Sequence, residues 1–84
     1  MTRYRALPVE IDIVEWTGRL RDLPQEWRDS DAFSLDDDGN LIVVTREGPA
    51  RAVSGIHDVA RGTEGEYYPI RRSVVARKYA RVAQ

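Results

Sequence analysis

Eighty-four residues, 42% hydrophobic and 32% charged with a net charge of −1, make one globular domain spanning residues 1–84 and exclude a disordered chain. The absence of cysteine removes disulfides, thiolate nucleophiles and Cys-based zinc sites, and the single histidine, His57, cannot form a His-rich metal site. No apolar run approaches the roughly 20 residues of a membrane-crossing helix, so a cytoplasmic protein with no membrane partner and no metal or cofactor is expected.

Pro8-Val9-Glu10-Ile11-Asp12-Ile13 alternates strictly, the period-2 pattern of a half-buried strand. The phase then slips, because Val14 and Trp16 fall on the face of Glu10 and Asp12. Either a bulge near Ile13-Val14 or cover on both faces would account for it. Leu20, Leu23 and Trp27 follow at i, i+3 and i+7, one helical stripe. Pro24 belongs in a first turn, which predicts a helix over residues 22–29.

Residues 32–35 predict a short strand, and Asp36-Asp37-Asp38-Gly39-Asn40 a tight turn, since Asp, Gly and Asn tolerate left-handed backbone. Leu41-Ile42-Val43-Val44-Thr45 is the strongest strand pattern; its unbroken apolar run predicts burial on both faces and a central place in the sheet. Glu47-Gly48 turns it into residues 50–53, giving a hairpin. Strands are expected at 57–60 and 66–69, the latter closed by Pro69, then one or two helical turns at 73–78 and a last strand at 79–82. The fold class is α+β: a small twisted, mostly antiparallel sheet of four to six short strands with one or two short helices.

Three constellations invite chemistry, and each fails a physical requirement. Asp36, Asp38, Asn40 and Glu47 stand at positions 1, 3, 5 and 12 of a calcium loop, but Leu41 occupies the turn-glycine position and opens a strand. His57 and Asp58 are adjacent, so on a strand they point to opposite faces and cannot serve Ser54 or Ser73 as a triad. Gly62-Thr63-Glu64-Gly65 lacks the Lys-Ser/Thr of a phosphate loop. No catalytic residues are assigned, and the protein reads as a non-enzyme.

Charge is more informative. Residues 1–42 hold five basic and ten acidic side chains, and residues 43–84 hold eight basic and four acidic ones. Two halves facing each other within the fold would produce this asymmetry, and so would a surface for an anionic partner. The candidate binding face is Glu66, Tyr67, Tyr68, Arg71, Arg72, Arg77 and Lys78, with Arg81 in the same basic stretch. Cations beside tyrosines suit phosphates, yet the pI of about 5.8 and the lack of a nucleic-acid motif disfavour DNA or RNA.

Tyr4-Arg5-Ala6-Leu7-Pro8-Val9 leading to Glu15-Trp16-Thr17-Gly18, and later Gly62-Thr63-Glu64-Gly65-Glu66-Tyr67-Tyr68-Pro69 with Tyr79, resemble the two ends of a widespread group of short, mostly uncharacterised bacteriophage and prophage proteins. Members open Tyr-Arg-x-x-Pro-Val with a Trp-Thr-Gly, and close Gly-x-x-Gly-Glu-aromatic-Tyr-Pro with a late Tyr. This chain departs in carrying Ser54-Gly55-Ile56-His57 for their Pro-Gly-Asp-aromatic, with one extra residue before Gly62. It also carries Ile70-Arg71-Arg72-Ser73-Val74-Val75 for their Cys-x-Pro-Asp-x-Phe.

The resemblance implies a phage-encoded accessory protein in the host bacterial cytoplasm, and brings no activity with it. The expected function is therefore non-enzymatic binding of a host or phage macromolecule, foremost a protein, as a regulator or defence inhibitor. The alternatives are sequestration of a nucleotide-like anion by the basic face with Tyr67 and Tyr68, or a minor virion component.

Overall fold

The computed structural model describes residues 1–3 and 9–80. The Tyr-Arg opening, the Pro8 start of the first expected strand, Arg81 and Val82 lie outside the described residues.

The first strand, β1 (Asp12–Glu15), pairs residue for residue with the strand at 58–61, so no bulge interrupts it. Ile13 and Val14 point to opposite faces and both are half-buried. Cover on both faces, rather than an inserted residue, is thus what shifts the apolar phase. Trp16 follows directly and is buried, with 1% of its surface exposed.

The helix expected at 22–29 is broken in two. Leu20–Asp22 makes one 3-10 turn, Leu23 is extended (φ −76°, ψ 147°), and α1 covers only Gln25–Arg28 behind Pro24. The proline ring disfavours helical backbone in the residue before it, so Pro24 stands outside the helix rather than in its first turn. Leu23 and Trp27 are nevertheless both buried, as their shared stripe predicts.

The remaining elements are β2 (Phe33–Leu35), β3 (Leu41–Thr45), β4 (Gly48–Ala52), β5 (His57–Arg61), β6 (Tyr67–Arg71) and α2 (Arg72–Lys78). The fold is α+β, and the six strands among the described residues divide between two three-stranded antiparallel sheets, ordered β1-β5-β6 and β2-β3-β4. Pro69 does not close β6 but pairs opposite Val59, two residues before the strand ends. That is tolerable because β6 is an edge strand, where a missing N–H can face away from the ladder. Tyr79 and Ala80 are not in a strand.

The sheets pack together through β3 and β4 against β6. Trp16, Leu23, Trp27, Leu41, Val43, Ala52 and Val59 form the buried core, with Val14, Leu20, Phe33 and Tyr67 packed around it. The Phe33 ring lies 4.8 Å from Tyr67 and 6.4 Å from Trp27, centroid to centroid, closing the gap between the sheets on the α1 side. β3 is central, as expected, but the expected burial on both faces does not hold: Leu41 and Val43 are buried while Val44 is 56% exposed. In the other sheet β5 is buried on both faces. Val59 faces the core, and Asp58 and Ala60 on the opposite face are also buried; α2 packs on the neighbouring β6, and its Arg72 contacts Asp58. Among the described residues no helix is long and apolar enough to cross a membrane.

Candidate functional site

The seven candidate residues do not share one surface. Glu66 organises the turn between β5 and β6. Gly62 N–H donates to the Glu66 carbonyl at 2.8 Å, and Gly65 N–H donates to the Gly62 carbonyl at 3.1 Å. The Glu66 carboxylate folds back over the turn, its Oε1 accepting from Glu64 N–H at 3.1 Å. Gly62 is required for this, because a Cβ there would collide with that carboxylate. Gly65, with φ of 83°, supplies the left-handed backbone. The Gly-x-x-Gly-Glu spacing thus builds a self-bonded turn.

Arg46, from the β3–β4 turn, ion-pairs with Glu64 and lies 4.0 Å from Glu66 Oε2. The hydrogen bond to Glu64 raises the already high Arg46 pKa. Thr45, Arg46, Glu47, Glu66, Tyr67 and Tyr68 line a shallow open groove of about 400 Å³ here. Burial raises the Tyr68 phenol above its usual pKa, with neighbouring Tyr79 and Glu66 adding to the shift. The Tyr67 ring belongs to the core, 5.2 Å from Trp27 and edge-on to Phe33. With Glu47 and Glu66 in its lining and Arg46 engaged by Glu64, the groove is poorly suited to an anion.

Arg72 is a structural tie. In the ladder Glu15 stands directly opposite Asp58, an unfavourable juxtaposition of like charges. Arg72 answers it from the first residue of α2: Nε and Nη2 both donate to Asp58 Oδ1, at 3.0 and 2.9 Å, and Nη2 lies 3.5 Å from Glu15. The pairing raises the Arg72 pKa, chiefly through the hydrogen bond to Asp58. Arg72 N–H also donates to the Ile56 carbonyl at 2.9 Å, fixing the start of α2 against the loop before β5.

Other basic groups of the second half meet acids of the first in the same way. Arg61 contacts Asp12 at 2.7 Å and Glu26 at 2.6 Å, with its guanidinium 5.4 Å from the centre of the Trp27 ring. Arg51 approaches Asp36 at 3.3 Å. The contact geometry is poor for a hydrogen bond, leaving Asp36 Oδ2 without one. Arg71, Arg77 and Lys78 are exposed and form no ion pair among the described residues.

His57 and Asp58 are separately engaged: His57 Nδ1 accepts from Val53 N–H at 3.0 Å, while Asp58 holds Arg72. Asp36 Oδ1 accepts from Asp38 and Asn40 N–H at 2.9 and 2.8 Å, so this carboxylate closes its own turn. Lost solvation pushes the Asp36 carboxyl upward, but these two donors and Arg51 outweigh it and set its pKa below the usual range. Among the described residues no three His, Asp or Glu side chains gather as a metal-holding group.

Of the two exposed apolar residues at the ends of α2, Tyr79 stands in the motif quoted above, and Ile56 was not singled out as a binding residue. Ile56 is 47% exposed beside the helix start, and Tyr79, 40% exposed, follows its last residue. For Ile56 the sequence carries one signal, an apolar residue set directly after a turn glycine. No family model, curated protein or solved structure matches this chain.

Proposed function

We propose that the chain is a phage-encoded accessory protein that works by binding another macromolecule, foremost a protein, in the cytoplasm of a bacterial host. The observation that carries this reading is how its polar groups are used. Asp58, Glu66, His57, Asp36 and Arg72 are each engaged by partners within the fold. What faces outward instead are cations with no ion pair among the described residues, Arg71, Arg77 and Lys78, and large apolar side chains, Ile56, Val44, Leu35 and Tyr79. That mixture favours contact recognition, since arginine and tyrosine are enriched where protein interfaces bury surface. The two resembling segments that fall within the described residues supply core and turns: Trp16 is core, and Gly62, Gly65 and Glu66 build one turn. On that resemblance they would carry the fold, and the partner would be read by the rest of the surface.

Sequestration of a nucleotide-like anion is less well supported, because Tyr68 borders an acid-lined groove and Arg72 is tied to Asp58. Affinity purification of the tagged full chain from bacterial cells, with brief crosslinking, tests the proposal. A stoichiometric protein partner is expected. A co-purifying nucleotide in place of protein, or recovery of the chain only in assembled phage particles, would replace this reading with one of its rivals.

A further inference from the structure

We propose that the surface bordering α2 is the docking face and that it takes an acidic protein surface; this rests on the binding reading above and gives it a location and a partner chemistry. Three cations and two exposed apolar side chains stand at the two ends of α2. Arg71 and Ile56 flank the start of the helix, where the Ile56 carbonyl accepts from Arg72 N–H at 2.9 Å. Arg77 and Lys78 occupy its last turn, and Tyr79 follows, its N–H donating to the Val75 carbonyl at 3.1 Å. Five residues of helix, 72–76, lie between Arg71 and Arg77, about 9 Å for six steps of 1.5 Å, a span one helix or loop of a partner covers.

Charge complementarity decides the occupant. In a chain of net charge −1, other cations of the second half are neutralised at home: Arg46 by Glu64, Arg51 by Asp36, Arg61 by Asp12 and Glu26, Arg72 by Asp58. Arg71, Arg77 and Lys78 have no such partner among the described residues, and no acid stands in the first turn of α2. The helix itself is secured by Arg72 and by half-buried Val74 and Val75, so these three cations are not needed to hold it. An aliphatic and an aromatic anchor beside three charges suit carboxylates framing an apolar spot. A phosphate backbone would match the charges and leave Ile56 without a counterpart.

The test uses the full chain and two probes of equal net charge: a fluorescein-labelled acidic peptide containing leucine, and a single-stranded DNA oligonucleotide. Anisotropy should show saturable peptide binding, and amide NMR shifts should centre on Ile56, Arg77 and Tyr79. The double variant Arg77→Glu/Lys78→Glu should weaken the peptide by about tenfold or more. Because reversal also opposes the helix dipole, Arg77→Gln/Lys78→Gln serves as a milder second variant, expected to lose part of the affinity with an unchanged melting curve. Preferred, steeply salt-dependent binding of the oligonucleotide would overturn the proposal in favour of a nucleic-acid face. So would peptide shifts centred on Val44 and Leu35, or no binding of either probe.

The same variants separate this proposal from the reading beneath it. If the reversed variant still captures the partner that the wild type captures, the α2 assignment falls and the binding function stands. If the wild type captures no protein, both fall.

Discussion

The two sheets are built from equally short strands, yet they are buried in opposite ways. β5 reads His-Asp-Val-Ala-Arg, with charge at two of five positions, and its middle three residues are all buried. β3 reads Leu-Ile-Val-Val-Thr, the most apolar strand in the chain, and its Val44 stands 56% exposed. The difference is cover. α2 packs on β6 and its Arg72 reaches Asp58 on the outer face of β1-β5-β6, whereas Val44 on the outer face of β3 stands in solvent. A strand's composition therefore sets what burial would cost or gain, while its neighbours decide whether burial happens. Where Asp58 is buried, α2 carries Arg72 to the spot.

This comparison can be broken or sharpened by substitution. Trp16→Ala should have the largest effect, about 3–5 kcal/mol in a denaturant titration, because it removes the more deeply buried of the two tryptophans in the core that both sheets share. In a domain of this size that is most of the stability expected. A loss below about 1 kcal/mol would mean that the two sheets do not depend on one core.

Val43→Ala, on the inward face of β3, should cost about 2 kcal/mol by the same measurement. Arg72→Gln should lower the melting temperature by less, since the guanidinium keeps contact with water while Asp58 is only 7% exposed. Changing Asp58→Asn as well should recover part of that loss, because no unpaired charge is then left buried. A double variant no more stable than Arg72→Gln alone would show that Arg72 acts through packing.

Asp36 gives a pH signature confined to the β2-β3-β4 sheet. Its folded pKa is depressed, so its contribution is present above the ordinary carboxylate range and lost as pH falls through the folded value. Asp36→Asn keeps a side-chain oxygen for the two N–H donors but removes the charge. It should lower the melting temperature slightly at neutral pH and flatten the acid limb below about pH 4. Identical acid limbs would remove Asp36 from the account. Smallest of all, Val44→Ala should fall within about 0.5 kcal/mol of wild type. A loss like that of Val43→Ala would mean that something covers the outer face of β3 in solution.

Much of the fold was legible in the chain. The apolar run at Leu41–Thr45, the Asp-Gly-Asn turn before it and the Leu23–Trp27 stripe are local patterns, and each came out as a strand, a turn and a pair of buried side chains. Even the extended Leu23 follows from a local rule, the restriction Pro24 places on its predecessor. The candidate face was legible only in part. Arg71, Arg77 and Lys78 are exposed as a basic stretch suggests, but Tyr67 faces the core and Arg72 is spent on Asp58, both consequences of contacts between residues far apart in the chain.

The sequence by itself determined the fold class, the turn positions set by Gly and Asp, and which large side chains must find a core. Those depend on backbone sterics and on the cost of exposing apolar surface, which act within a few residues. Only the tertiary structure decided that the strands split into two sheets, that α2 packs on one of them, and which cations meet an acid. Each of these depends on distance in space: Asp12 and Arg61 are 49 positions apart in the chain and 2.7 Å apart in the fold.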